Sequence, residues 1–476
     1  MTPRARRVPG PASLFGLLLA TLTLAAGAPA HGGGLYLPIH GVRALGRGNA
    51  FVAGGDDPGG LWYNPAQLDL MGNQGLLEGA LIAGSQSYAR VDSGGNALPE
   101  VSSTAPPQGI PTAAVSIRLP KRFTIGVGMT APYAQLPRYA ADGPQRYSLI
   151  DLDGTFMARI EAAVAYRIID GGPDGTRLSI GASVQDMLLN FESRTVLYGC
   201  PGTVVTAPED PQCDARARMR LAANANFSGN VGVHMSQRLW RAGVGVQLPT
   251  WVSGGGQINS GIPTHPLFRH EDGSVKAQQV GDDAHLSFKL PWIVRAGFEL
   301  RPTPKVRAEV ELDVEGWSMQ DAIRVVPHGV MLTNLNGGVP EYDIGPMTVW
   351  RRFKDTYSVR LGGEWDFHRM FTARAGYGFE TGAAPTNLLS VLTVDMAKHI
   401  FSVGLSFKPH ELWRIDVGYA FVFEPPTTVP LQANPTVENA SCQLSPIRPA
   451  GTCVQVNAGT YHQSYNVAGL ALIYIF

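Results

Sequence analysis

The sequence predicts an all-β fold: a transmembrane barrel of about fourteen antiparallel strands. Three observations predict it. An export signal is followed by no second long apolar stretch. The remaining chain alternates apolar and polar residues with a period of two. The connections between alternating segments are short and long in turn. Composition narrows the partners. The 476 residues carry 38 Lys+Arg and 38 Asp+Glu, and only 16% are charged, against about a quarter in a soluble domain. With no basic excess to track phosphates, nucleic acid is excluded as a partner. An apolar fraction of 44% is too high for a disordered chain.

Export comes first along the chain. Arg4, Arg6 and Arg7 precede residues 12–26 (ASLFGLLLATLTLAA), and Ala28-Pro29-Ala30 follows. A positive start, a short apolar core and an A-x-A site describe a signal peptide over residues 1–30, cut after Ala30. The core is shorter than the ~20 residues a helix needs to cross a bilayer. Once exported, the chain either stays soluble or enters a membrane as a barrel.

The strands follow. In residues 123–131 the odd positions read Phe, Ile, Val, Met, Ala and the even ones Thr, Gly, Gly, Thr. In residues 306–315, Val306, Ala308, Val310, Leu312 and Val314 alternate with Arg307, Glu309, Glu311, Asp313 and Glu315. Strict alternation puts one residue class on each face of a strand. Such segments lie near 77–90, 111–118, 123–132, 155–168, 177–195, 221–235, 240–251, 285–300, 306–326, 355–367, 371–380, 397–407, 413–424 and 462–476. Short and long connections in succession match tight periplasmic turns and long external loops. An even strand count returns both ends to the periplasmic side. Trp251, Trp292, Trp350, Trp365, Trp413, Tyr419 and Tyr474 sit at strand ends, as interfacial girdles do. A soluble sandwich would need a second sheet to cover each apolar stripe, and none is spare.

Magnitude decides which face is which. A Lys or Arg turned to lipid at the midplane costs about 2–4 kcal/mol, so exposing the charges of residues 306–315 would cost on the order of 10 kcal/mol. They line the lumen. The same register is expected to place Arg118, Arg159, Glu161, Arg167, Asp186, Lys289, Arg295, Glu299, Arg360, Glu364, Arg374, Glu380, Arg414 and Asp416 inside, where the two signs form cross-lumen salt bridges. On the last strand the inward set Val467, Gly469, Ala471, Ile473 and Ile475 is too apolar for a water-filled porin.

Residues 31–75 do not alternate. They contain residues 43–50 (RALGRGNA), Asp56-Asp57 and Leu61-Trp62-Tyr63-Asn64-Pro65-Ala66. Further on come residues 126–132 (GVGMTAP), Leu290-Pro291, Arg295-Ala296-Gly297, a run from Glu309 to Trp317, Asp355-Thr356-Tyr357, Leu361-Gly362-Gly363-Glu364, Arg374-Ala375-Gly376-Tyr377 and Ala458-Gly459-Thr460-Tyr461. In this ordered set the chain resembles the FadL/TodX family of outer-membrane long-chain fatty-acid and hydrocarbon channels, departing from it at Gln67, where the family usually has Gly. The resemblance implies that residues 31–75 form a hatch, or plug, inside a barrel of residues 76–476 in the outer membrane. It implies passive uptake of long-chain fatty acids or related hydrophobic small molecules. They would be captured among external loops, bound in a lumenal pocket and released sideways through the wall. It also implies a monomer, embedded in outer-membrane lipid and assembled by the barrel-assembly machinery, whose terminal signal the final Phe476 resembles.

The site residues expected on this basis are Asn64, Pro65 and Ala66 at the hatch turn, beside a third strand weakened in its ladder by Gly126, Gly128 and Pro132. For a carboxylate ligand the anchor is expected at Arg159, with Arg118, Lys289 and Arg295 behind it. Leu35 and Tyr36 are expected to occupy the pocket as a gate. Cys200 and Cys213 share one long loop and Cys442 and Cys453 another. Three connectivities exist, of which two local disulfides are the simplest. No metal site is expected, since there is no C-x-x-C and no His at ligand spacing. No cofactor is expected either. Residues 151–154 (DLDG) hint at a calcium loop, but its twelfth position is Ala162 rather than Glu. With no G-x-S-x-G, H-E-x-x-H or Walker loop, the protein is not expected to be an enzyme. The competing reading is a structural or adhesive barrel with a sealed lumen; a polar-solute porin ranks after it.

Overall fold

The computed structural model describes residues 40–131, 137–171, 175–202, 209–336, 341–433, 435–437, 442 and 454–476. The signal peptide, Leu35, Tyr36, Pro132 and Cys453 lie outside these residues. Fourteen antiparallel strands close into a barrel. In chain order they are β1 (Gln74–Arg90), β2 (Gln108–Arg118), β3 (Phe123–Thr130), β4 (Phe156–Asp170), β5 (Arg177–Tyr198) and β6 (Asp214–Ser236). Four broken strands follow: β7 (Trp240–Gln247 and Thr250–Ser260), β8 (Asp283–Leu290 and Ile293–Thr303), β9 (Val306–Glu315 and Ala322–Pro327) and β10 (Met347–Trp350 and Thr356–His368). The last are β11 (Phe371–Glu380), β12 (Lys398–His410), β13 (Trp413–Val429) and β14 (Gly459–Ile475). Each strand pairs with its sequence neighbours, and β1 closes on β14 from Gln74↔Ile475 to Arg90↔Gly459. Closure removes the unpaired edges that a bilayer does not tolerate.

The burial pattern inverts that of a soluble protein. Leu77, Val184 and Phe227 are more than 60% exposed on the outer surface, whereas Glu309, Glu311, Asp313 and Glu315 are buried on the inner one. Arg159, Glu161, Arg295, Glu299, Arg360, Glu364, Arg374, Glu380 and Asp416 are buried with them, as the cost of charge in lipid requires. The apolar inner set of β14 is seen at Val467, Ala471 and Ile473, which are buried, whereas Ile475, expected with them, is exposed at the strand's end.

Two expected inward residues point the other way. Asp186 stands opposite Ile160 and Phe227, both exposed, so it lies on the outer face. The alternation of its own strand places it there, since Ile180 and Val184 share its parity. Lys289 is exposed and stands opposite the exposed Trp251. In β8 the buried positions are Ile293, Arg295 and Glu299 below the break at Pro291-Trp292, but Ala284, Leu286 and Leu290 above it. The break switches parity, which the lower half alone does not reveal.

Strands β5 and β6 run further outward than their apolar repeats suggest, because the extension alternates too: Ala215 and Ala217 are buried while Arg216 and Arg218 are exposed. A Cys200–Cys213 disulfide ties their outer ends, 13 residues apart in sequence. Cys442 is also disulfide-bonded. Residues 40–73 are almost entirely buried and pack against inward-facing side chains of many strands. Their polar groups set the geometry described next.

Candidate functional site

The enclosed segment begins with the helical turn Val42–Leu45. Arg47, fully buried, reaches Glu299 at 2.9 Å, Glu309 at 2.8 Å and Glu364 at 3.3 Å. Arg43 reaches Glu364 at 2.7 Å and Asp57 at 3.0 Å. Backbone amides then donate to the wall: Phe51 and Val52 to Glu311 at 2.6 and 2.8 Å, and Ala53 to Glu309 at 2.7 Å. The inward acids of β9 thus hold a non-strand backbone whose amides have no ladder to join. The pairing is charge-assisted.

Asn64 caps the next turn. Its Oδ1 accepts from the Ala66 amide at 3.0 Å, with Pro65 following, and its Nδ2 donates to the Val233 carbonyl at 3.0 Å. Close approach to the wall needs glycine here. A Cβ on Gly181 would overlap the Pro65–Ala66 backbone, and one on Gly232 would overlap Asn64. The Asn64-Pro65-Ala66 turn therefore lies against β4, β5 and β6, not against the third strand as expected. Gly126 and Gly128 instead admit Leu68 and Trp62, which would collide with any Cβ there. Both glycines complete their ladders, Gly126 opposite Ser116 and Ala163, Gly128 opposite Ala114 and Glu161. Their role is contact with the enclosed segment, and the expected weakening of pairing does not occur at these two positions.

The four expected anchors are scattered. Arg159 is buried beneath Trp62, its guanidinium 5.5 Å from the ring, and donates to Gln247 at 3.1 Å. Arg295 is buried 5.8 Å from the Tyr63 ring. Arg118 sits exposed at the barrel end and donates to the Asp69 carbonyl at 2.8 Å. Lys289 faces outward. All four lie away from the cavities described here.

Two adjoining cavities of about 130 and 110 Å³ occupy the barrel interior beyond the enclosed segment. They share Ser193, Met219, Val325, Val349 and Leu392 as walls. An apolar cavity of about 150 Å³ is enough to lodge benzene. Tyr147, on the loop between β3 and β4, closes one side. Burial, then the Asp214 carboxylate beside it, raises its phenol well above the usual range, so that wall stays neutral. Among the described lining residues one is charged: Arg351, 2% exposed, in the break of β10. Among the described residues its Nε and Nη1 have no hydrogen-bond partner, and its guanidinium stands 5.6 Å from the Phe353 ring. Arg351 falls in the irregular break within β10, where no periodicity in the sequence assigns a face.

Phe156 adds a feature of the wall. The β3 ladder ends at Thr130 opposite Arg159. Phe156 lies beyond that end, is 56% exposed, and still lines the smaller cavity. Among the described residues, Phe156–Ala158 have a strand partner only on the β5 side.

Comparison with known proteins agrees with this architecture. The family model described as outer membrane protein transport protein (OMPP1/FadL/TodX) matches residues 22–445. A Pseudomonas aeruginosa FadL homologue of known crystal structure superposes with a TM-score of 0.70 at 14% identity, over 93% of this chain and 100% of its own. The Ralstonia pickettii toluene transporter TbuX gives 0.59 at 15% identity, over 92% and 98%. The Pseudomonas putida toluene transporter TodX gives 0.59 at 14%, over 90% and 98%. At these identities the superpositions speak for the fold. No curated protein sequence matches the chain closely enough to count as a relative.

Proposed function

The chain belongs to the OMPP1/FadL/TodX family of outer-membrane transport proteins, and from that premise we propose that it admits hydrophobic small molecules by diffusion, binding them in the paired cavities. The observation that carries this reading is the cavity pair: mainly apolar, adjoining, and each close in size to a cavity that lodges a small aromatic ring. Family membership makes it a channel of the outer membrane and not an enzyme.

The parts then take distinct roles. The external loops capture the molecule. Residues 31–75 act as the hatch, held by Arg43 and Arg47 on the acids of β8, β9 and β10. Among the described cations, Arg351 takes the part first expected of Arg159, meeting the head of a carboxylate ligand while the chain lies along Met219, Val325 and Leu392. Release is lateral, past Phe156, where the β3 ladder has ended. The Leu35-Tyr36 tail is the proposed gate.

Reconstitution tests this. Liposomes holding the protein should take up labelled long-chain fatty acid or alkylbenzene faster than empty liposomes and should show no large ion conductance. If neither compound enters faster, the lumen is sealed and the structural-barrel reading replaces this one. A non-selective ion current without hydrophobic uptake would mark a porin.

A further inference from the structure

The outer surface carries a feature that hydrophobic uptake does not use. On β6, Arg216, Arg218 and Arg220 occupy alternate positions facing away from the barrel and are exposed. Cross-strand pairing sets Arg218 directly opposite Arg194. Like charges directly opposite one another oppose pairing, so this arrangement needs counter-charge. Some comes from within: Glu192 pairs with Arg218 and, at 3.2 Å, with Arg220, while Arg194 reaches Asp151 at 2.9 Å. Arg216 has no acidic partner among the described residues.

Their height is set by the strand. Phe123 and Tyr166 pack as a tilted ring pair, centroids 4.8 Å apart, on the outer face at the periplasmic end. Tyr166 is level with Ile180 on β5, and Ile180 with Val233 on β6. An apolar band about 25 Å tall, crossed by a strand tilted about 40°, takes up about ten residues. Counted from Ile180 and Val233, the band ends near residues 190 and 223. The exposed Val184, Val231 and Phe227 fall within it. Glu192, Arg194 and the three arginines of β6 come immediately above, at the head-group level of the outer leaflet.

We infer that the β6 arginine ladder, with Arg194, is a docking surface for the phosphate groups of an acidic lipid in the outer leaflet. Guanidinium forks bind phosphate oxygens bidentately, and the strand repeat offers successive forks along one line. The inference does not depend on which cargo the lumen carries.

Native mass spectrometry of the full chain in neutral detergent tests it, with a bis-phosphorylated lipid A-type glycolipid and its dephosphorylated form as probes. The wild type should retain the phosphorylated lipid, and less of it as salt rises. Each arginine near a charged surface contributes about fivefold, so R216A/R218A/R220A should bind about a hundredfold more weakly. K305A, on the short turn between β8 and β9 at the other end of the barrel, should bind as the wild type does. R216K/R218K/R220K keeps the charge but loses the forks and should fall between; it also serves if the alanine variant fails to fold, which heat-modifiable gel migration reports. Equal retention by the wild type and the variant that folds, or equal binding of the dephosphorylated lipid, would overturn the inference.

Discussion

Replacing Arg47 with methionine isolates the bond between the enclosed segment and the wall. The methionine keeps most of the side-chain length but leaves Glu299, Glu309 and Glu364 without a shared cation at 2.9, 2.8 and 3.3 Å. Removing one partner of a buried ion pair costs about 3–5 kcal/mol, because the remaining charge stays buried. At 1.4 kcal/mol per tenfold, that shifts the docked segment toward release by about two to three and a half orders of magnitude. The barrel ladders do not pass through Arg47, so the fourteen strands should persist. Planar-bilayer recording is the assay. The wild type should be nearly silent, and R47M should show discrete openings as the segment leaves. A compensating E299Q/E309Q background should restore silence, since the stranded charges are then gone. If R47M is as silent as the wild type and its segment as resistant to protease, the acids of β8 and β9 do not hold the hatch and the reasoning fails.

The remaining predictions follow from the same geometry. R351L should weaken carboxylate binding about tenfold to a hundredfold, the worth of a charged hydrogen bond at 1.5–3 kcal/mol. Binding of a neutral alkylbenzene, measured by the same fluorescence displacement, should stay unchanged. Gly128→Val drives a side chain into Trp62 and should cost about 1–3 kcal/mol as overpacking does, read as a lower unfolding midpoint in urea; an unshifted midpoint would mean that Trp62 does not press on β3. Deleting residues 31–37 should change uptake rate or affinity without loss of the folded barrel, and unchanged uptake would remove the gate assigned to Leu35 and Tyr36.

Much of the architecture was legible because a membrane strand carries its evidence locally. Period-two alternation in residues 306–315 names both faces at once, and the cost of charge in lipid says which face is inside; Glu309, Glu311, Asp313 and Glu315 are buried accordingly. The pairing of Cys200 with Cys213 followed from simple proximity in sequence. The site was less legible. Arg159 has the right parity, yet Trp62 of the enclosed segment covers it, and no strand pattern reports what a distant segment will cover. Lys289 has the parity of the lower half of β8, and the break at Pro291-Trp292 reverses it. Asp186 shares the outward parity of its strand neighbours Ile180 and Val184, against the inward face expected of it.

The sequence by itself determined a barrel, its strand number, its inner and outer faces and its family, because each rests on repeats within one strand or on an ordered set of short motifs. Only the tertiary structure decided where the enclosed segment meets the wall, which cation borders the cavities and which way the broken strands face. Those depend on contacts such as Arg47 with Glu299 and Glu309, or Asn64 with Gly232, between residues far apart in the chain. A pattern with a period of two has no term for a partner a hundred or more residues away.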